Sequence, residues 1–98
     1  MKVYLLIKES YGSYDNFYDT TVQSFIDRES ALNYLAIEKE SKIEEAMREV
    51  KVSTIEELEN SSYVYDFDNR DDYYYIDIED WGYDCLKIVE QDMMEFKI

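Results

Sequence analysis

The chain has no histidine and no proline, only two glycines and a single cysteine in 98 residues. Without histidine the commonest general base is gone, and with it the usual nucleophilic triads and zinc ligand sets. Gly12 and Gly82 stand too far apart to build either familiar phosphate-cradling loop, so nucleotide hydrolysis is not expected. Cys85 alone excludes an internal disulfide and a multi-cysteine metal site. It reads as a small, partly buried hydrophobe in a reducing compartment rather than as a reactive thiol. Carboxylate pairs of the glycosidase kind can be picked from any surface this acidic and carry no weight. Neither enzymatic activity nor a cofactor is therefore expected. Long apolar runs are missing as well. Val3 to Ile7 is closed by Lys2 and Lys8, too short for a secretory core or a membrane span, so a cytoplasmic protein without membrane contact is expected.

Acid is what the chain has in excess: 24 Asp and Glu against 10 Lys and Arg, a formal net charge of −14. A hydrophobic fraction of 46% still provides a core, so the chain should fold rather than remain a disordered acidic tail. The charge is uneven. Residues 1–52 hold 10 acids and 7 bases, net −3, whereas residues 53–98 hold 14 acids and 3 bases, net −11. Such a field repels nucleic acid and anionic membranes and attracts a basic protein. Its concentration in the second half marks a binding face rather than a general device for solubility. A halophilic origin would also make a chain acidic, but seven lysines against three arginines, with many Ile and Tyr, argue against it.

Read along the chain, Lys2 to Lys8 is a central strand, Glu9 to Phe17 a polar hairpin loop around Ser10, Gly12, Ser13, Asp15 and Asn16, and Tyr18 to Ile26 the alternating return strand. Asp27 is placed to cap a long helix with an apolar stripe of Leu32, Leu35, Ala36, Ile43, Ala46, Met47 and Val50. Glu38 with Lys42, and Glu44 with Arg48, are spaced for ion pairs on its solvent side. Ser53 with Glu56 and Thr54 with Glu57 are overlapping capping boxes for a short helix ending near Asn60. Tyr63 to Phe67 reads as a strand with Tyr63, Tyr65 and Phe67 on one face, opposite Val64, Asp66 and Asp68. Asp68 to Asp72 is a turn, and Tyr73 to Asp80 returns with Tyr74, Ile76 and Ile78 inward and Tyr73, Tyr75, Asp77 and Glu79 outward. Trp81-Gly82 ends that strand, and Cys85 to Glu90 supplies another apolar run, Leu86, Ile88 and Val89, whose pattern is open to strand or helix and is read as strand. No repeat or Gly/Ser-rich linker divides the chain. The expectation is a single compact α+β domain over residues 1–98, an antiparallel sheet with one long helix packed on it, in the order ββα and then ββ with a further strand.

Asp66 to Asp77 partly imitates a calcium loop, but Arg70 falls where a ligand belongs and Asp71 where a glycine is needed, so no metal site is expected. The candidate partner-binding residues are Asp66, Asp68, Asp71, Asp72, Tyr73, Tyr75, Asp77, Glu79 and Asp80, with Glu56, Glu57 and Glu59 nearby in sequence. On one face of a strand alternate carboxylates stand about 6.6 Å apart, so Asp77 and Glu79 would form a regular anionic row. A protein that reads phosphates through Lys and Arg could accept such a row, and tyrosine adds amphipathic area and a face for arginine. In size, acidity and missing catalytic residues the chain resembles in type the DNA-mimic inhibitors of phages and mobile elements, such as antirestriction and anti-CRISPR proteins, which share no common motif. The layout of strand, tyrosine-rich loop, strand and the helix containing Ala31-Leu32-Asn33-Tyr34-Leu35 also looks like small phage-borne domains of unassigned function. The resemblance implies an inhibitor whose partner is a nucleic-acid-binding protein or nuclease. A regulatory module docking on another basic protein fits the same residues. Homo-oligomerisation through tyrosine edges stays open, opposed by −14 per subunit unless the charges point outwards, and stacking of a small ligand on the tyrosines ranks below these.

Overall fold

The computed structural model describes residues 1–12 and 17–92. Five strands and two helices follow in the order β1 (Lys2–Gly12), β2 (Phe17–Phe25), α1 (Arg28–Val50), α2 (Ile55–Glu59), β3 (Val64–Arg70), β4 (Tyr73–Ile78) and β5 (Gly82–Asp92). All neighbouring strands are antiparallel, and the sheet order is β2-β1-β5-β4-β3. This is the expected α+β domain, with α1 laid across one face of the sheet. Among the described residues no helix is long and apolar enough to cross a membrane.

β1 runs further than its apolar stretch. Glu9 to Gly12, expected in a loop, continue the strand because β5 pairs with β1 over eleven positions, from Lys2 opposite Asp92 to Gly12 opposite Gly82. The hairpin loop's Ser13, Asp15 and Asn16 lie outside the described residues. Gly82 closes this ladder with φ +117°, and a Cβ there would stand 1.7 Å from the Tyr11 carbonyl oxygen, so only glycine fits. β5 itself is the strand expected from Cys85 to Glu90, extended at both ends.

α1 begins as expected at Asp27, whose carboxylate accepts the Ser30 backbone N–H at 2.7 Å. This contact holds the Asp27 carboxyl below its usual pKa. Ala31, Leu35, Ile43 and Ala46 are buried against the sheet, whereas Ala36, expected in the stripe, is exposed. Ala31 and Leu35 stand one turn apart on the inward face, and the next residue is rotated about 100° from it. The expected Glu38–Lys42 and Glu44–Arg48 pairs give way to pairs that reach the sheet, Glu38 with Lys8 at 3.4 Å and Lys42 with Asp84 at 3.6 Å, and to one within the helix, Lys42 with Glu45 at 3.6 Å. In α2 the Thr54–Glu57 box forms, with Thr54 Oγ1 accepting the Glu57 N–H at 3.1 Å.

The core consists of Leu6, Leu35, Leu58, Tyr74, Ile76 and Leu86, all fully buried, with Ile43, Ala46 and Ile78 around them. β4 shows the sheet's two-sidedness most clearly. Tyr74, Ile76 and Ile78 point to α1, and Tyr73, Tyr75 and Asp77 point away, as the alternation requires. β3 departs from its expected pattern. A bulge between Val64 and Asp66 shifts the register, so Val64 and Phe67 both pack on the core and Tyr65 is exposed.

Candidate docking surface

One sheet face is covered by α1. Among the described residues no element covers the other. The pairing registers assign its side chains: Tyr18, Thr20, Val22 and Ser24 from β2; Leu5, Ile7, Glu9 and Tyr11 from β1; Tyr83, Cys85, Lys87 and Val89 from β5; Tyr73, Tyr75 and Asp77 from β4; Asp66, Asp68 and Arg70 from β3.

Tyrosine organises the middle of this face. The rings of Tyr11 and Tyr83 stack at 5.8 Å and 21°, and those of Tyr83 and Tyr75 at 5.7 Å and 24°, giving three aromatic planes across β1, β5 and β4. Beside them the Arg70 guanidinium lies 4.8 Å over the Tyr73 ring while donating to both oxygens of Asp68, at 3.1 and 2.9 Å. Partial burial, and the charges of Asp77 and Asp66 beside it, raise the Tyr75 hydroxyl above its ordinary pKa. Cys85 lies beneath these rings. Its thiol is raised chiefly by burial, against a lowering hydrogen bond with Tyr73, which makes it a poor nucleophile.

The carboxylates expected to act together do so in part. Asp66 and Asp77 stand directly opposite each other on β3 and β4, and neither has a basic partner among the described residues. Like charges at such positions destabilise a sheet. Asp68 is neutralised by Arg70, and Asp72, at the β3–β4 turn beside Asp71, pairs with Arg28 at 3.6 Å. The expected row from Asp77 to Glu79 is not a strand row, because β4 ends at Ile78. Glu79 sits in the following turn, donates its N–H to the Tyr63 carbonyl at 2.8 Å and is hydrogen-bonded by the Tyr65 side chain. Asp80, beside it, adopts left-handed backbone with φ 63°. Asp80 borders a shallow depression of about 400 Å³ lined also by Tyr11, Tyr65, Asp77 and Tyr83. The acids thus form three groups, a cross-strand pair and a turn at each end of the β3–β4 hairpin, beside a tyrosine stack.

Sequence reasoning missed Tyr11, Tyr18, Tyr83 and Glu9 as members of this face. Tyr11 falls within the expected loop, and only the β1–β5 pairing brings it beside Tyr83. It also missed Asp84, which faces α1, is buried, and is held by Ser10 and Lys42. Asp84 sits two positions before Leu86 in the same alternation, and that was the available signal. The turn expected from Asp68 to Asp72 narrows to Asp71 and Asp72, because β3 continues through Arg70, and no three potential ligands gather to hold a metal among the described residues.

No protein-family model, curated protein or solved structure matches this chain.

Proposed function

We propose that the chain is a non-enzymatic docking protein that presents its open, acidic, tyrosine-bearing sheet face to a basic nucleic-acid-binding protein and inhibits it by imitating nucleic acid, in the manner of phage-encoded inhibitors of host defence nucleases. The observation that carries the reading is the Asp66–Asp77 pair: two carboxylates held opposite one another at a cost to the sheet, with no cation of their own among the described residues, beside a stacked tyrosine. A cationic partner relieves that repulsion on binding. Asp68 and Arg70 show the chemistry within the chain, a guanidinium gripped by a carboxylate and lying on a tyrosine ring. Asp71, Asp72, Glu79 and Asp80 extend the negative field to both ends of the β3–β4 hairpin.

A second reading, docking on a basic protein unrelated to nucleic acid, is favoured by the Tyr11–Tyr83–Tyr75 stack, an amphipathic surface that phosphate imitation does not need. Competition separates the two. Partners are captured from a host lysate with the wild-type chain and with Asp77→Lys, and the captured protein is titrated with its own nucleic acid. Mutual exclusion, weakened by rising salt and lost in Asp77→Lys, supports the mimic. Simultaneous binding of both rejects it in favour of the second reading.

A further inference from the structure

The sheet's two edges are built differently. β3 carries a bulge between Val64 and Asp66 and three charged residues, Asp66, Asp68 and Arg70. Bulges and charges are what edge strands use to refuse another strand. β2 has no such protection. Its nine residues keep unbroken register with β1, hold a single charge, Asp19, contain neither proline nor lysine, and leave every side chain from Tyr18 to Ser24 exposed. The outer backbone groups of such a strand are a template for another.

We propose that β2 is a self-association edge, at which two copies pair their β2 strands antiparallel about a two-fold axis at Thr21 and join two five-stranded sheets into one of ten strands. The strand's own sequence selects a second copy as the occupant. Centring on Thr21 sets Thr20 against Val22 of the second copy, Asp19 against Gln23 and Tyr18 against Ser24. The one carboxylate therefore meets an amide rather than itself, and β-branched residues flank the centre. Net charge does not forbid the contact, because most of the excess acid lies in the second half of the chain. β3 is four strand spacings, about 19 Å, from β2 in the sheet order. That exceeds twice the screening length of about 8 Å at physiological salt. The nearest charges on β1, Lys8 and Glu9, are already paired with Glu38 and Lys87. Opposed residues of an antiparallel pair share a face. Both α1 helices would therefore lie on one side of the long sheet and both tyrosine surfaces on the other. This assembly does not depend on what the tyrosine face binds.

Cysteine cross-linking in a Cys85→Ala background tests the contact and its register. Thr21→Cys places two thiols at the axis, where opposed Cα atoms are about 5 Å apart and within disulfide reach. Ser24→Cys places them six residues apart along the strands, about 20 Å, out of reach. Under mild oxidation, Thr21→Cys should run at twice the monomer mass of 11.9 kDa, and Ser24→Cys should remain monomeric. Equal cross-linking of both, or of neither, overturns the proposal. Sedimentation equilibrium checks the unmodified chain, which should approach the dimer mass at millimolar concentration. Thr20→Lys with Val22→Lys should weaken association by about tenfold or more with an unchanged circular dichroism spectrum. A wild-type chain that stays at 11.9 kDa throughout overturns the proposal as well.

Discussion

Tyr74 and its two neighbours, Tyr73 and Tyr75, are one residue type in three consecutive positions, yet they live in different chemical worlds. Tyr74 is fully buried under α1, its ring edge-on to Phe67 at 6.0 Å, and its hydroxyl has no hydrogen-bond partner among the described residues. Tyr73 carries a guanidinium on its ring, and Tyr75 stacks on Tyr83 beside two carboxylates. The covered face is organised for packing and tolerates an unsatisfied hydroxyl there. The open face is organised by charge and aromatic contact, and tolerates repulsion. Substitutions on the first should register in stability, and substitutions on the second in partner binding.

The largest effect is expected at the seam that both faces share. Gly82→Ala forces a side chain into the Tyr11 carbonyl and should cost about 4 kcal/mol or more, observed as loss of the cooperative urea transition. Next is an adjacent pair on β5. Leu86→Ala, on the covered face, should lose about 3 kcal/mol in urea unfolding, whereas Cys85→Ala, a smaller truncation at a buried position that a partner on the open face does not reach, should lose about 1 kcal/mol or less and leave partner binding unchanged. Equal losses of stability at the two sites would erase the contrast. Asp77→Lys should separate the faces by sign. Partner binding should weaken by about 2 kcal/mol in calorimetry, while stability rises by a few tenths of a kcal/mol because the Asp66 repulsion becomes an attraction.

Tyr74→Phe gives the smallest effect and sharpens the comparison from the other side. It removes a buried hydroxyl without a partner and should add about 1 kcal/mol. Burial, and then the charges of Asp84 and Glu45, raise the Tyr74 pKa in the folded chain. An acid whose pKa is raised by folding keeps its proton in the folded state and loses it first in the unfolded one. Its contribution is therefore intact below about pH 10 and falls as pH rises above that value. Alkaline titration of stability should show this fall in the wild type, and it should be shallower in Tyr74→Phe.

Much of the fold was legible because local rules and tertiary packing agree. The Asp27 cap, the Thr54 box and the alternation Tyr73 to Ile78 each depend on neighbours in sequence, and each holds. The failures share one cause. Whether Glu9 to Gly12 forms strand depends on β5, some seventy residues away, and the bulge after Val64 depends on how Phe67 meets the core. The acidic half of the candidate surface could be read from composition. Of its aromatic centre Tyr73 and Tyr75 could be read from the alternation along β4, but Tyr11 and Tyr83 could not, because they join Tyr75 only through the sheet order.

That order also governs when the chain can fold. The two strands at the middle of the sheet, β1 and β5, are the first and last described elements, and they zip together over contacts separated by most of the sequence. Closing so long a loop before any central contact forms makes folding slow compared with a helical bundle of similar size. During synthesis, β1, β2 and α1 leave the ribosome with the centre of their sheet unfilled, and Leu6 has no Ile88 to lie beside until β5 emerges. Until β5 is synthesised, the nascent chain therefore carries an open apolar strand edge on β1.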